Sequence, residues 1–182
     1  DNGCHDGPGA VDPRPCRYGD TEARRVMVAF GDSHMAQWFT ALNRFASRDG
    51  YRLLWATKSA CPAPSVRLRS NQTGEPYRNC TQWRRTLLDK VAALPRVDVV
   101  VTSSSHWHTL LYPGTNAVIS SSADRAEAWR RGLRTTFRTL GPAANRILIL
   151  RDSPNLHENV PSCLLRTDGD ADACSASPSR AL

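Results

Sequence analysis

Lysine is nearly missing from this chain: of 24 basic residues, only Lys58 and Lys90 are lysine. The rest are arginines, scattered from Arg14 to Arg180, and with 17 acidic residues they leave a net charge of +7. No basic run alternates with aromatics, which excludes the stacking groove of a single-strand nucleic-acid binder. No nucleic-acid partner is expected, and the arginines read as solvated helix faces. Long apolar runs are missing too. Stretches such as Ile147 to Leu150 are far too short to span a bilayer, and the N-terminus has no signal-peptide pattern. The expectation is a mature soluble domain or an excised part of a larger protein. There is no C-x-x-C, and the five histidines are not placed around the cysteines with zinc spacing, so no metal site is expected.

What is present suits a single packed domain. The 182 residues, 40% of them hydrophobic, can bury a sizeable core, and wholesale disorder does not fit that composition. Six cysteines fall as sequence neighbours, Cys4 with Cys16, Cys61 with Cys80 and Cys163 with Cys174. Each pair encloses a segment rich in Pro, Gly, Asp or Ser, the kind a disulfide staples. Pairing of neighbours is therefore expected, and with it an oxidising, extracytoplasmic compartment. The alternative is a cytosolic protein with free thiols.

Residues 1 to 20 carry Gly3, Gly7, Pro8, Gly9, Pro13, Pro15 and Gly19 and read as loop. The division expected is a linker-like segment with a disulfide loop over 1–22 and a folded domain over 23–182. Val26 to Phe30, Leu53 to Ala56, Val97 to Val101 and Ile147 to Leu150 read as four apolar strands, the first of them buried. Between them, Met35, Trp38, Phe39, Leu42 and Phe45 form an apolar stripe at helical spacing, closed by Gly50. A second helix carries Trp83, Leu87, Leu88, Val91 and Leu94. A third, from about Ala123 to Leu140, is expected to bury Ala126, Trp129, Leu133 and Phe137. Strands alternating with helices give parallel pairing and a three-layer α/β/α sandwich. In such sheets ligands bind beyond the carboxyl ends of the strands. Gly31 to His34, Thr57 to Cys61, Thr102 to His108 and Arg151 to His157 all fall there.

Ser33 sits on a strand-to-helix turn, where N–H groups at a helix start can stabilise a developing oxyanion. Asp32 or Ser33 can equally be a simple N-cap. His34 beside it can meet a substrate hydroxyl or steady the helix start. Trp38, Trp107 and Tyr112 can stack on sugar rings or pack in the core.

Gly31-Asp32-Ser33-His34 after an apolar strand resembles the first block of the SGNH, or GDSL-like, hydrolases. Further blocks narrow the likeness: Cys16-Arg17-Tyr18-Gly19-Asp20, Met35-Ala36-Gln37-Trp38, Thr57-Lys58-Ser59-Ala60-Cys61-Pro62, Asp152-Ser153-Pro154, and Val160-Pro161-Ser162-Cys163-Leu164. Together they are similar to the extracytoplasmic SGNH domain of acyltransferase-3 membrane O-acyltransferases, over roughly residues 4 to 175. The resemblance implies a flavodoxin-like fold and Ser33 as nucleophile, with its own N–H in the oxyanion hole. A second donor would come from Ser59 or Ala60, where the general family has glycine. A third normally comes from an asparagine after the third strand; here Ser105, His106 and Trp107 stand there, and His106 can donate in its place or merely pack. Asp152 matches a carboxylate the subfamily has besides its catalytic one. The family's Asp-x-x-His block does not occur after Leu150. The last strand and helix are therefore expected to be missing and the fragment inactive, with the catalytic block lying beyond the end of this chain; the alternative is a degenerate, inactive domain.

The implied activity is serine-dependent O-acyl transfer to a cell-envelope polysaccharide or glycolipid, without cofactor. The acyl donor would be delivered by a membrane acyltransferase domain of the same parent protein, which would tether this domain on the periplasmic or cell-surface side. A carbohydrate esterase or deacetylase is the alternative, and a non-catalytic glycan-binding or structural domain is a second.

Overall fold

The computed structural model describes residues 3–153 and 158–177. The chain forms two compact units, Asp1–Arg151 and Asp152–Leu182. In the first, the elements are β1 (His5–Asp6), β2 (Cys16–Gly19), β3 (Arg25–Gly31), α1 (Ser33–Ala36), α2 (Phe39–Arg48) and β4 (Tyr51–Lys58). They continue with α3 (Arg78–Ala92), β5 (Val99–Ser103), α4 (Ser122–Leu140) and β6 (Ile147–Ile149). The second unit holds α5 (Val160–Arg166), capped by the Asn159 side chain, which accepts from the Ser162 N–H, and stapled by Cys163–Cys174.

The four expected strands form, and all pair in parallel, in the order β4-β3-β5-β6. This is the α/β architecture read from the alternation of strands and helices. The outer edge of β4 is closed by the N-terminal segment that read as loop. β2 pairs antiparallel with it from Cys16↔Trp55 to Gly19↔Arg52, and β1 pairs in parallel at His5↔Thr57 and Asp6↔Lys58. Two-residue strands escape a periodicity reading because they are too short to show one. Here the Cys4–Cys16 disulfide holds both pieces to the same edge. The other two disulfides also join sequence neighbours, Cys61–Cys80 and Cys163–Cys174.

Alternation along β3 builds two cores. Val26, Val28 and Phe30 face α3, where Trp83, Leu87 and Val91 are buried, while Met27 and Ala29 pack with Leu53, Trp55, Met35 and Ala46 on the opposite face. Helices thus cover both faces of the sheet.

Three burial expectations change. The first long helix is split at Gln37 and Trp38 into α1 and α2, so Met35, Phe39 and Leu42 of the stripe pack on the core while Trp38 and Phe45 are exposed. In α4 the buried line is Gly132, Thr136 and Leu140 rather than Ala126, Trp129, Leu133 and Phe137. The reason is a close approach of backbone: a Cβ at Gly132 would lie 2.7 Å from Val66 Cγ1. Thr136 Oγ1 donates to Ala63 O at 3.0 Å and anchors the same loop. Arg84 is not on a solvated face. It is 3% exposed, and its guanidinium donates to Pro62 O (2.9 Å) and Val66 O (2.6 Å).

Candidate functional site at the carboxyl edge of the sheet

Register brings three serines to one level. Gly31 pairs with Thr57 on one side and with Ser103 on the other. Ser33, Ser59 and Ser105 each follow two residues later, on the loops leaving β3, β4 and β5. Glycine is required at the first of these exits, because a Cβ at Gly31 would lie 2.2 Å from Ser103 O and 2.8 Å from Met35 Cβ. The chain can therefore turn directly from β3 into α1.

Asp32 caps α1, as one of the two sequence readings had it, and does more. Its Oδ1 accepts from the His34 N–H (2.9 Å), and its Oδ2 accepts from the Ser105 N–H (2.9 Å). The same Oδ2 lies 2.8 Å from His108 Nε2, and both side chains are buried. A single carboxylate thus ties the β3 exit to the β5 exit. His108 was absent from the sequence-derived site. Its partner stands 76 positions away, a separation no spacing rule reaches.

Ser33 is exposed beside this buried carboxylate, and its hydroxyl makes no hydrogen bond to any described residue. As the first residue of α1 its N–H also has no intrahelical partner. On the β4 exit the two expected donors separate. The Ser59 N–H is taken by Asp6 O at 2.9 Å, so it is not available to a ligand. Ala60 has a φ of +52°, the left-handed region that favours glycine, and its N–H has no partner among the described residues.

His5 joins the same edge, although it lies in a segment that read as linker. Its Nδ1 is 2.9 Å from Thr57 Oγ1 and its Nε2 is 3.0 Å from Ser59 Oγ. Burial lowers its pKa, against the opposing charges of Asp6 and Asp32. The next strand residue, Asp6, accepts from Trp83 Nε1 at 2.6 Å. Lys58 is fully buried and donates to Gly7 O (2.6 Å) and Pro8 O (2.8 Å); desolvation pulls its pKa down to about 8.

On the β5 exit, Ser105 is buried and its Oγ accepts from the Trp107 N–H at 3.3 Å. His106 is exposed, its ring 4.6 Å from that of Trp107, and its carbonyl accepts from Arg125. Trp107 is 54% exposed and Trp38 is 38% exposed, so neither is a core residue. Tyr112 is also exposed, with its hydroxyl donating to Asp124 Oδ2 at 2.7 Å. Asp152 belongs to the second unit, where its Oδ1 accepts from the Ser153 N–H. His157, the histidine nearest to Asp152 in sequence, lies outside the described residues. Among the described residues no three side chains of metal-ligating type gather, and no helix is long and apolar enough to cross a membrane.

Comparison with known proteins places the chain in a family. No curated protein sequence matches the chain. Among solved structures, the chain is similar to the periplasmic domain of the lipopolysaccharide acetyltransferase of Salmonella ser. Paratyphi A, with a TM-score of 0.56 and 15% sequence identity. The match covers 88% of this chain and 56% of that one, so the chain spans little more than half of its structural relative. At that identity the likeness is one of fold. The family described as "SGNH domain (fused to AT3 domains)" matches residues 3–182. From its first strand to its last disulfide, the chain belongs to the family of SGNH domains fused to AT3 domains.

Proposed function

We propose that Ser33 is the nucleophile of an acyl transfer from a donor ester or thioester to a hydroxyl of an envelope saccharide. The observation that carries this reading is the pairing of an exposed serine hydroxyl with two N–H groups, those of Ser33 and Ala60, on neighbouring strand exits, none of the three hydrogen-bonded among the described residues. Serine Oγ attacks the acyl carbonyl, and its proton passes to a base as the oxyanion forms. The two N–H groups stabilise that oxyanion, and its collapse expels the donor's leaving group, which takes the proton from the base, and leaves an acyl ester on Ser33. A saccharide hydroxyl then attacks the ester and gives its proton to the base, which returns it to Ser33 Oγ as the acylated sugar departs. Asp32, fixed by three donors including His108, sets the angle at which the serine leaves the sheet. Trp107 and Trp38 offer exposed aromatic faces on which sugar rings stack. Three disulfides fit a periplasmic or other extracytoplasmic setting, with an AT3 membrane domain as the source of acyl groups.

No described histidine hydrogen-bonds Ser33, and a serine without a base is a poor nucleophile. That observation favours one other reading, a saccharide-binding domain without catalysis. Transfer of acetyl from an activated ester to an oligosaccharide separates the two. Acylated sugar that disappears with Ser33→Ala supports transfer, and acetate alone points to an esterase. Saccharide binding that Ser33→Ala leaves intact, with no acyl product from any form of the protein, supports the non-catalytic domain.

A further inference from the structure

The turn that leaves β4 is gripped on three sides at Ser59. Its N–H donates to Asp6 O (2.9 Å), its Oγ bonds His5 Nε2 (3.0 Å), and its carbonyl oxygen accepts from the Tyr77 hydroxyl (2.9 Å). The turn is closed by the Cys61 N–H donating to Lys58 O at 3.2 Å. Ala60 is its third residue, at the position where a turn with positive φ takes glycine. A residue with a side chain persists there only when its surroundings over-determine the backbone.

Tyr77 supplies that constraint at the one point that matters for Ala60. In a trans peptide the C=O and the next N–H point in opposite directions. A donor that holds the Ser59 carbonyl therefore fixes where the Ala60 N–H points, on the side away from Tyr77. A flip of this peptide would break the bond to Tyr77 and turn the Ala60 N–H toward the buried ring. The tyrosine is 8% exposed and just precedes α3, which the Cys61–Cys80 disulfide joins to the same turn. Its hydroxyl also lies 3.2 Å from Pro8 O. Burial raises its pKa to about 12, so it remains a donor throughout the working pH range.

We propose that Tyr77 is a positioning residue for acyl transfer at Ser33, holding the Ser59–Ala60 peptide so that the Ala60 N–H meets the oxyanion. The inference rests on the reading of Ser33 as nucleophile. Tyr77 makes no hydrogen bond to Ser33 and acts through the Ser59–Ala60 peptide alone.

The test uses a fluorophosphonate, whose phosphoryl oxygen gains negative charge as serine attacks. Its reaction resolves into a reversible binding constant and a maximal rate of phosphonylation. Tyr77→Phe keeps the ring and removes only the hydroxyl. It is expected to lower the maximal rate at Ser33 at least ~10-fold, a fraction of what loss of an oxyanion donor costs. The binding constant is expected to stay at the wild-type value, and the thermal midpoint to fall by only a few degrees as the Ser59 carbonyl loses its donor. A wild-type maximal rate in Tyr77→Phe overturns the proposal while leaving Ser33 as nucleophile. So does a Tyr77→Phe protein that fails to fold, which would make the hydroxyl a structural tie. A Ser33→Ala protein that takes the label as fast as wild type overturns the nucleophile, and this inference with it.

Discussion

Asp32 and His108 form a buried pair, Oδ2 to Nε2 at 2.8 Å, that joins the exit of β3 to the loop after β5. The carboxylate sits directly before Ser33, so whatever holds Asp32 holds the serine's backbone. Breaking a buried pair from one side leaves the other group unsatisfied, at about 3 kcal/mol or more. His108→Leu is therefore expected to lower the melting temperature by roughly 6–12 °C in a domain of this size. Scanning calorimetry checks it. A midpoint within about 2 °C of wild type would mean that the pair contributes little.

The Cys61–Cys80 disulfide closes a loop with a sequence separation of 19 and is buried in the main core. Restricting the unfolded chain over that span stabilises the fold by about 3 kcal/mol. The double variant Cys61→Ala/Cys80→Ala should lose that amount in denaturant unfolding, with a somewhat steeper slope as the unfolded chain expands. An unchanged midpoint would contradict it.

Lys58 gives the fold a pH dependence on its alkaline side. Desolvation pulls its pKa from 10.5 to about 8. Below pH 8 the ammonium is charged in both folded and unfolded chains, and its contribution is constant. Between about pH 8 and 10.5 the unfolded chain binds a proton that the folded chain has released, so stability rises with pH. Tyr77 opposes this only above pH 10, its ordinary value, because its folded pKa is higher. Lys58→Met should flatten the rise between pH 8 and 10, measured as denaturant midpoints. A slope that survives the substitution would assign the effect to other groups.

Gly31 is the narrowest point of the site. Any side chain there must push Ser103 O or Met35 away from 2.2 and 2.8 Å contacts. Gly31→Ala is expected to cost about 3 kcal/mol or more by overpacking and to slow labelling of Ser33 as β3 and β5 move apart. A variant with wild-type stability would show that the two strands can yield.

The strands and the position of Ser33 were legible in the sequence because both are local signals. Apolar runs of four or five residues announce strands, although the last of them, β6, leaves Leu148 and Ile149 exposed, and Gly31-Asp32-Ser33-His34 follows the first directly. The support around Ser33 was not legible, because it is made by pairs far apart in the chain. His5 meets Ser59 across 54 positions, and His108 meets Asp32 across 76. β1 has only two residues, too few for any period, and its place depends on a disulfide and on the edge of β4. Arg84 misled for a related reason. Beside Arg85 it looks like half of a solvated pair, yet α3 turns it inward onto two carbonyls. The choice between Ser59 and Ala60 needed a hydrogen bond from Ser59 to Asp6, which only coordinates supply.

The most direct test of the central claim is to find where an activated acyl or phosphonyl group attaches. The protein is incubated to completion with an aryl acetate or a fluorophosphonate, digested, and mapped by mass spectrometry. The account predicts one adduct, on Ser33, absent from Ser33→Ala. An adduct on another residue, or the same adduct in Ser33→Ala, would contradict it.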